Sequence, residues 1–306
     1  MGKYSPEYIT KMKRAPMTLS FVRQAIKDRA ILEARVISCD ADNTLTLELG
    51  KNILGRIKLS ELEYHYDEHE AKEVSAVSKI YKHIKFIPLS IDKENGLYIV
   101  ECSRKQSQKE CFDNYIKNLT VGDVIDAQLI RVTKYGAFCD IGCGIAALLP
   151  TNNISVTHIV DPVKALRYVY SLRVVVKSID ENYRIQLTHK ELLGTWLEES
   201  SKFSKDDVVY GTVLSVEDYG IFVRLSQNLS GLADISDIKV NTGDTVSVRV
   251  TFIKEESMKI KLSIISKIDD DEGEHMSFKY KDNISHIKEW HYSTPTAKKQ
   301  IDSYFS

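Results

Sequence analysis

Short runs of alternating apolar and polar residues, many rich in Val, Ile and Thr, recur between residues 31 and 265 and are broken by a few helical stripes. Alternation with period two marks a strand with one face buried. The clearest runs are Val124–Val132 and Val208–Val216. Each is followed by a second strand opening with Tyr-Gly-x-Phe, in Lys134-Tyr-Gly-Ala-Phe-Cys-Asp-Ile141 and in Asp218-Tyr-Gly-Ile-Phe-Val-Arg-Leu225. A displacement of 84 residues lays Asp123 on Asp207, Val124 on Val208, Val132 on Val216, Tyr135 on Tyr219, Gly136 on Gly220 and Phe138 on Phe222. Such register marks an internal repeat. Each copy continues with a short strand (145–149 or 229–235), a longer one (171–179 or 245–253) and a closing phrase, Arg184-Ile-Gln-Leu-Thr188 or Lys259-Ile-Lys-Leu-Ser263.

Five short strands in a unit of this size predict a small barrel of the oligonucleotide-binding (OB) kind. Residues 31–104 read as a third, worn copy. Glu33-Ala-Arg-Val-Ile37 answers Asp126-Ala-Gln-Leu-Ile130, Leu54–Leu62 answers the short middle strand, and residues 84–103 supply the last two strands around a turn at Asn95-Gly96. This copy has Asp42, Asn43 and Leu45 where the others have Tyr, Gly and Phe, and no base four residues after Asp92. Its reading is therefore a structural or protein-docking module, with RNA contact through Arg56 or Lys58 as the other option.

Helical spacing fills the joins. Ser20 is the expected N-cap of a leader helix carrying Phe21, Val22, Ala25 and Ile26. A charged, helix-prone stretch covers 61–77, with His65 and His69 one turn apart; it reads as a solvated helix, since a zinc site needs further ligands. Cys111, Tyr115, Ile116 and Leu119 share one helical face between the first two repeats. Leu192, Leu193, Trp196 and Leu197 do so between the last two, with Trp196 as an inter-domain wedge. Asp161-Pro162 marks a turn or helix start inside the long insertion of the middle repeat. The predicted division is a leader helix at 1–29, a degenerate repeat at 30–105, a helical connector at 106–119, repeat two at 120–190, a second connector at 191–204, repeat three at 205–265, and an acidic linker with an aromatic and basic tail at 266–306. The tail's Phe278, Tyr280, Trp290, Tyr292, Tyr304 and Phe305 alternate with lysines and are expected to pack back on the third barrel rather than to meet RNA.

Composition narrows the function. With 42 basic and 43 acidic residues the chain is no polycationic nucleic-acid coat, so RNA binding must rest on local charge and on stacking. Five scattered cysteines fit reduced cytosolic thiols, and Cys139 with Cys143 has no second Cys/His pair at zinc-like spacing. No apolar run reaches membrane-spanning length and the N-terminus lacks a signal-peptide core, so a cytoplasmic protein is expected. No Walker loop, nucleophile elbow or zinc signature is present, and no enzyme activity or cofactor is expected.

The Tyr-Gly-x-Phe phrase, Gly231-Leu232 (Ala147-Leu148 in the earlier copy) and the closing Arg/Lys-Ile-x-Leu-Ser/Thr together resemble the S1 RNA-binding domain. The three-repeat layout is similar to ribosomal protein S1 and to the shorter S1-like proteins of Gram-positive bacteria. The resemblance implies a mainly β protein of three tandem five-stranded OB-fold barrels joined by short helices. It implies non-catalytic binding of single-stranded RNA, including messenger RNA, in translation or ribosome-associated mRNA handling, with docking to the small ribosomal subunit through the first repeat. Carried over by position, the RNA-binding residues are Tyr135, Phe138, Asp180 and Arg184 in one copy and Tyr219, Phe222, Glu255 and Lys259 in the other. The glycine between the aromatics allows a kink that turns both rings to one side, where bases can stack. A histidine expected after Gly-Leu is replaced by Pro150 and by Asp234, and Asp234 would repel phosphate. The alternative function is a protein-docking adaptor built on degenerate S1 barrels with little RNA affinity.

Overall fold

The computed structural model describes residues 2–7, 15–65, 72–268, 278, 280 and 284–305. Helix α1 (Leu19–Lys27) leads into the first barrel and buries Val22 and Ala25 in that barrel's core. Its cap is Thr18, whose extended backbone lets the hydroxyl accept from Phe21 N–H at 3.3 Å. Ser20, the expected cap, is already the second helical residue. Barrel one comprises β1 (Leu32–Cys39), β2 (Leu45–Gly50), β3 (Ile53–Ile57), β4 (His83–Glu94) and β5 (Leu97–Ser103), closed in the order β1-β2-β3-β5-β4. Between β3 and β4 the described residues of the stretch expected to be helical include α2 (Glu73–Val77), preceded by a 3-10 turn at Leu59–Glu61; residues 66–71, His69 among them, lie outside the described residues.

Helix α3 (Arg104–Asn114) buries Cys111 and Phe112 and passes directly into barrel two. There β6 (Val124–Thr133), β7 (Gly136–Gly142), β8 (Ile145–Pro150), β9 (Ser171–Ile179) and β10 (Ile185–Thr188) close in the corresponding order. The insertion before β9 holds α4 (Pro162–Ala165), started by Asp161, whose carboxylate accepts from Val163 and Lys164 N–H. The second connector is not one continuous helix. Gly194, at φ +93°, interrupts it, and α5 (Trp196–Ser200) restarts with a capping box between Thr195 and Glu198. Barrel three consists of β11 (Val208–Glu217), β12 (Gly220–Ser226), β13 (Leu229–Ala233), β14 (Thr245–Lys254) and β15 (Lys259–Ile268).

In all three barrels a parallel contact joins the third and fifth strands, as in β3/β5, β8/β10 and β13/β15. All three first strands also shift register at one matching place, between Val36 and Ser38, Leu129 and Arg131, and Val213 and Ser215. The protein is thus mainly β, built from three five-stranded barrels of one topology.

Two segments fasten the barrels together. Residues 2–7 form a strap between barrels one and two, where the Glu7 carboxylate accepts from fully buried Arg104 at 2.8 and 2.9 Å. Glu7 N–H donates to Asp140 at 2.6 Å. The C-terminal segment, with β16 (Glu289–His291) and β17 (Asp302–Tyr304), runs over barrels two and three. Ile287 N–H donates to Gly122 O at 2.8 Å, Trp196 N–H to Tyr292 O at 3.0 Å and Thr294 Oγ1 to Glu255 O at 3.1 Å. Trp196 is buried with Trp290, Tyr292 and the barrel-three core, and partly buried Val156 from barrel two packs against that cluster. It is the wedge the leucine-rich stripe predicts. Packing of the tail therefore extends to barrel two as well as barrel three.

Candidate nucleic-acid interface

The two Tyr-Gly-x-Phe phrases sit at the first hairpin of barrels two and three. Tyr135 and Tyr219 occupy the turns, while Gly136 and Gly220 begin β7 and β12 at φ +145° and +151°. A side chain there would meet Leu149 O at 2.2 Å or Ala233 O at 2.7 Å, so glycine is required on both steric and dihedral grounds. The tyrosines project into solvent at 73% and 68% exposure, and Phe138 is 41% exposed. Tyr219 and Phe222 meet edge to face with centroids 6.2 Å apart. Lys134 Nζ lies 4.9 Å from the centre of the Tyr135 ring.

Cross-strand register defines the surface around each phenylalanine. Across barrel two, Arg131, Phe138, Leu148, Gln186 and Ser178 stand side by side. Across barrel three the matching row is Ser215, Phe222, Leu232, Lys261 and Phe252. In barrel one it is Ser38, Thr46, Arg56, Glu101 and Ser90. Thr46, not Leu45, is therefore the counterpart of the phenylalanines. Leu45 is fully buried, because eight positions separate Ser38 from its partner Thr46 where seven separate Arg131 from Phe138 and Ser215 from Phe222, and the loop before β2 is closed by the Asp40 carboxylate, which accepts from Asp42 and Thr44 N–H. Arg56 is engaged by Glu101 and Glu94, each at 3.2 Å. The first face thus presents no ring and a neutralised cation.

The acid and base of the closing strands are placed differently in the two copies. Asp180 Oδ1 accepts from Asn182 N–H at 2.9 Å and Arg184 N–H at 2.8 Å, so this carboxylate holds the turn that presents exposed Arg184. Glu255 instead opens a 3-10 turn that ends at Met258, with φ +49°, and exposed Lys259 begins β15. Asp234 carries its own countercharge, since Lys261 Nζ lies 2.6 Å from its carboxylate. Arg131 and Phe252 extend these faces, though the repeat motif includes neither. The shared register shift, which puts Arg131 and Ser215 beside the rings, is the signal that finds Arg131.

Behind this surface lie two buried polar clusters. Burial, and next the charge of Glu7, push the Asp140 carboxyl up to about 7, against N–H groups that stabilise its charge. Burial lowers the His189 pKa to about 4; its Nδ1–H donates to Ile154 O at 3.0 Å, which leaves Nε2 to accept from the Tyr280 hydroxyl at 2.9 Å. Among the described residues no group of three His, Cys, Asp or Glu has a metal-holding arrangement, and no helix is long and apolar enough to cross a membrane.

Comparison with known proteins decides the family of the two ring-bearing barrels. The S1 RNA binding domain matches residues 118–190 and 202–265. The chain carries two S1 RNA-binding domains. Relatives named small ribosomal subunit protein bS1 include those of Staphylococcus aureus (strain COL) and Staphylococcus epidermidis (strain ATCC 35984), each 33% identical over 190 residues. The match covers 57% of this chain and 48% of each relative, so the chain spans about half the length of the curated relatives it matches. A crystal structure of a multidomain protein with nucleic acid binding domains from Streptococcus pneumoniae aligns with 78% of this chain and 73% of its own, at 13% identity and a TM-score of 0.24. In both S1 domains the two rings of the aromatic phrase stand outside the barrel core, while the residue between them, Ala137 or Ile221, is part of it.

Proposed function

We propose that this chain binds single-stranded RNA, messenger RNA included, without catalysis and in the cytoplasm, as part of translation. Bases stack on Tyr135 and Phe138 of the first S1 domain and on Tyr219 and Phe222 of the second, while Arg184 and Lys259 meet phosphates. Asp180 acts chiefly by holding the Arg184 turn, and Glu255 flanks Lys259. Barrel one, with no ring in the matching row and with Arg56 neutralised, is the proposed docking module towards the small ribosomal subunit.

One observation carries this reading: Tyr135, Phe138 and Tyr219 stand in solvent and Phe222 is half-exposed beside Tyr219, at the first hairpin of each S1 barrel, among the described residues. Stacking on such rings is worth about 1–3 kcal/mol per base and tolerates any base. Near-neutral overall charge is compatible with it, because affinity then comes from stacking and a few local cations. The kinship to bS1 supports a place in translation.

Photocrosslinking tests the site directly. With a 4-thiouridine-containing, unstructured RNA of about 20 nucleotides, crosslinked peptides are expected to contain Tyr135–Phe138 and Tyr219–Phe222. Crosslinks confined to barrel one or to the tail would refute this assignment.

A further inference from the structure

The two S1 domains share their rings but differ in the charge around them. Beside Phe138, directly across from it on β6, stands Arg131, exposed and with no carboxylate partner among the described residues. Lys134 sits over Tyr135, and Arg184 projects from the turn that Asp180 holds. Barrel three places Ser215 at the Arg131 position and Asp218 at the Lys134 position. Its Lys261 is taken by Asp234, and Glu217 and Glu255 lie exposed at the ends of β11 and β14. In barrel one the matching position is Ser38.

We propose that Arg131 is a phosphate-binding residue of the RNA interface and that barrel two is its electrostatic anchor, while barrel three, where Lys259 meets a phosphate beside exposed Glu217, Asp218 and Glu255, contributes mainly stacking. This rests on the RNA reading above and adds to it a residue and a division of labour. A guanidinium one strand over from a stacking ring lies about 5 Å from it along the sheet. From there it reaches the phosphate of a base stacked on Phe138 and can engage two of its oxygens. Ser215 has neither the reach nor the charge to do this.

The test is the salt dependence of RNA binding by the full chain, read from fluorescence anisotropy with an unstructured, labelled RNA of about 20 nucleotides. Each phosphate contact on a single strand contributes about 0.7 to the slope of log K against log salt. Arg131→Ser is expected to weaken binding roughly tenfold at low salt and to flatten the slope by about 0.7, with an unchanged melting temperature. Ser215→Arg, the reciprocal exchange, is expected to steepen the slope by about 0.7 and so tests the position independently of how Arg131→Ser folds. Arg249→Ser, an exposed arginine outside the row, should leave the slope alone. If Phe138→Ala weakens binding while both row variants keep the wild-type slope, Arg131 is no phosphate ligand although the RNA reading stands. If Phe138→Ala also binds like wild type, the proposal and the RNA reading fall together.

Discussion

Gly136 shows how one residue couples the fold to the interface. Its φ of +145° and the 2.2 Å approach a Cβ would make to Leu149 O leave no room for a side chain. The kink it allows puts Tyr135 in the turn while Phe138 stays on the outer face. Gly136→Ala is expected to lower stability by more than about 1 kcal/mol and to weaken RNA binding, read together from a denaturant melt and an RNA titration. This glycine and both rings are legible in the sequence, because the same phrase returns 84 residues later at the same place in an alternating pattern. Arg131 is not legible there, since only the register shift at Leu129/Arg131 decides which side chain of β6 stands beside Phe138. The misplacement of Leu45 has the same origin: one extra loop residue moves every following side chain to the opposite face.

At the scale of elements, connector and tail behave as a clamp. Alternating strands and the Trp196 stripe are legible because burial leaves a periodic mark. The tail's partners are not, since Tyr280, Tyr292 and Phe305 reach residues far away in sequence. Trp196 is buried to 2% exposure among Trp290, Tyr292 and the barrel-three core. Trp196→Ala is expected to cost about 3–5 kcal/mol, measured by urea denaturation. His189 gives the clamp a pH dependence. Burial lowers its pKa from 6.5 to about 4, so between these values the unfolded chain binds a proton that the folded one refuses. Stability should therefore fall as pH drops from about 6.5 to 4, by on the order of 3 kcal/mol for this group. Melts of wild type and His189→Gln across that range check it: the variant should lose less stability on acidification.

Across the whole molecule, three barrels of one topology carry three different faces. Strand count follows from the sequence, because each unit repeats the same alternation and the same closing phrase, whereas strand order depends on the pairing of the third strand with the fifth. The locking of barrels one and two does not. It depends on Glu7, Arg104 and Asp140, which are distant in sequence and meet in a buried cluster that no local motif announces. The tail and Trp196 join barrels two and three, and under the proposed function one RNA strand that spans both sets of rings gains from both. An RNA too short for both should lose that gain, and the loss should match the effect of removing the barrel-three rings from a longer RNA.

The outward rings, and not the barrel cores, are the proposed RNA-binding elements. The most direct measurement is the affinity of Phe138→Ala for an unstructured RNA of about 20 nucleotides, with its melting temperature determined on the same sample. An affinity loss of roughly 1–3 kcal/mol at an unchanged melting temperature is the predicted result. Unchanged affinity, or a melting temperature that falls while binding by the folded fraction persists, would contradict it and return the ring to a structural role.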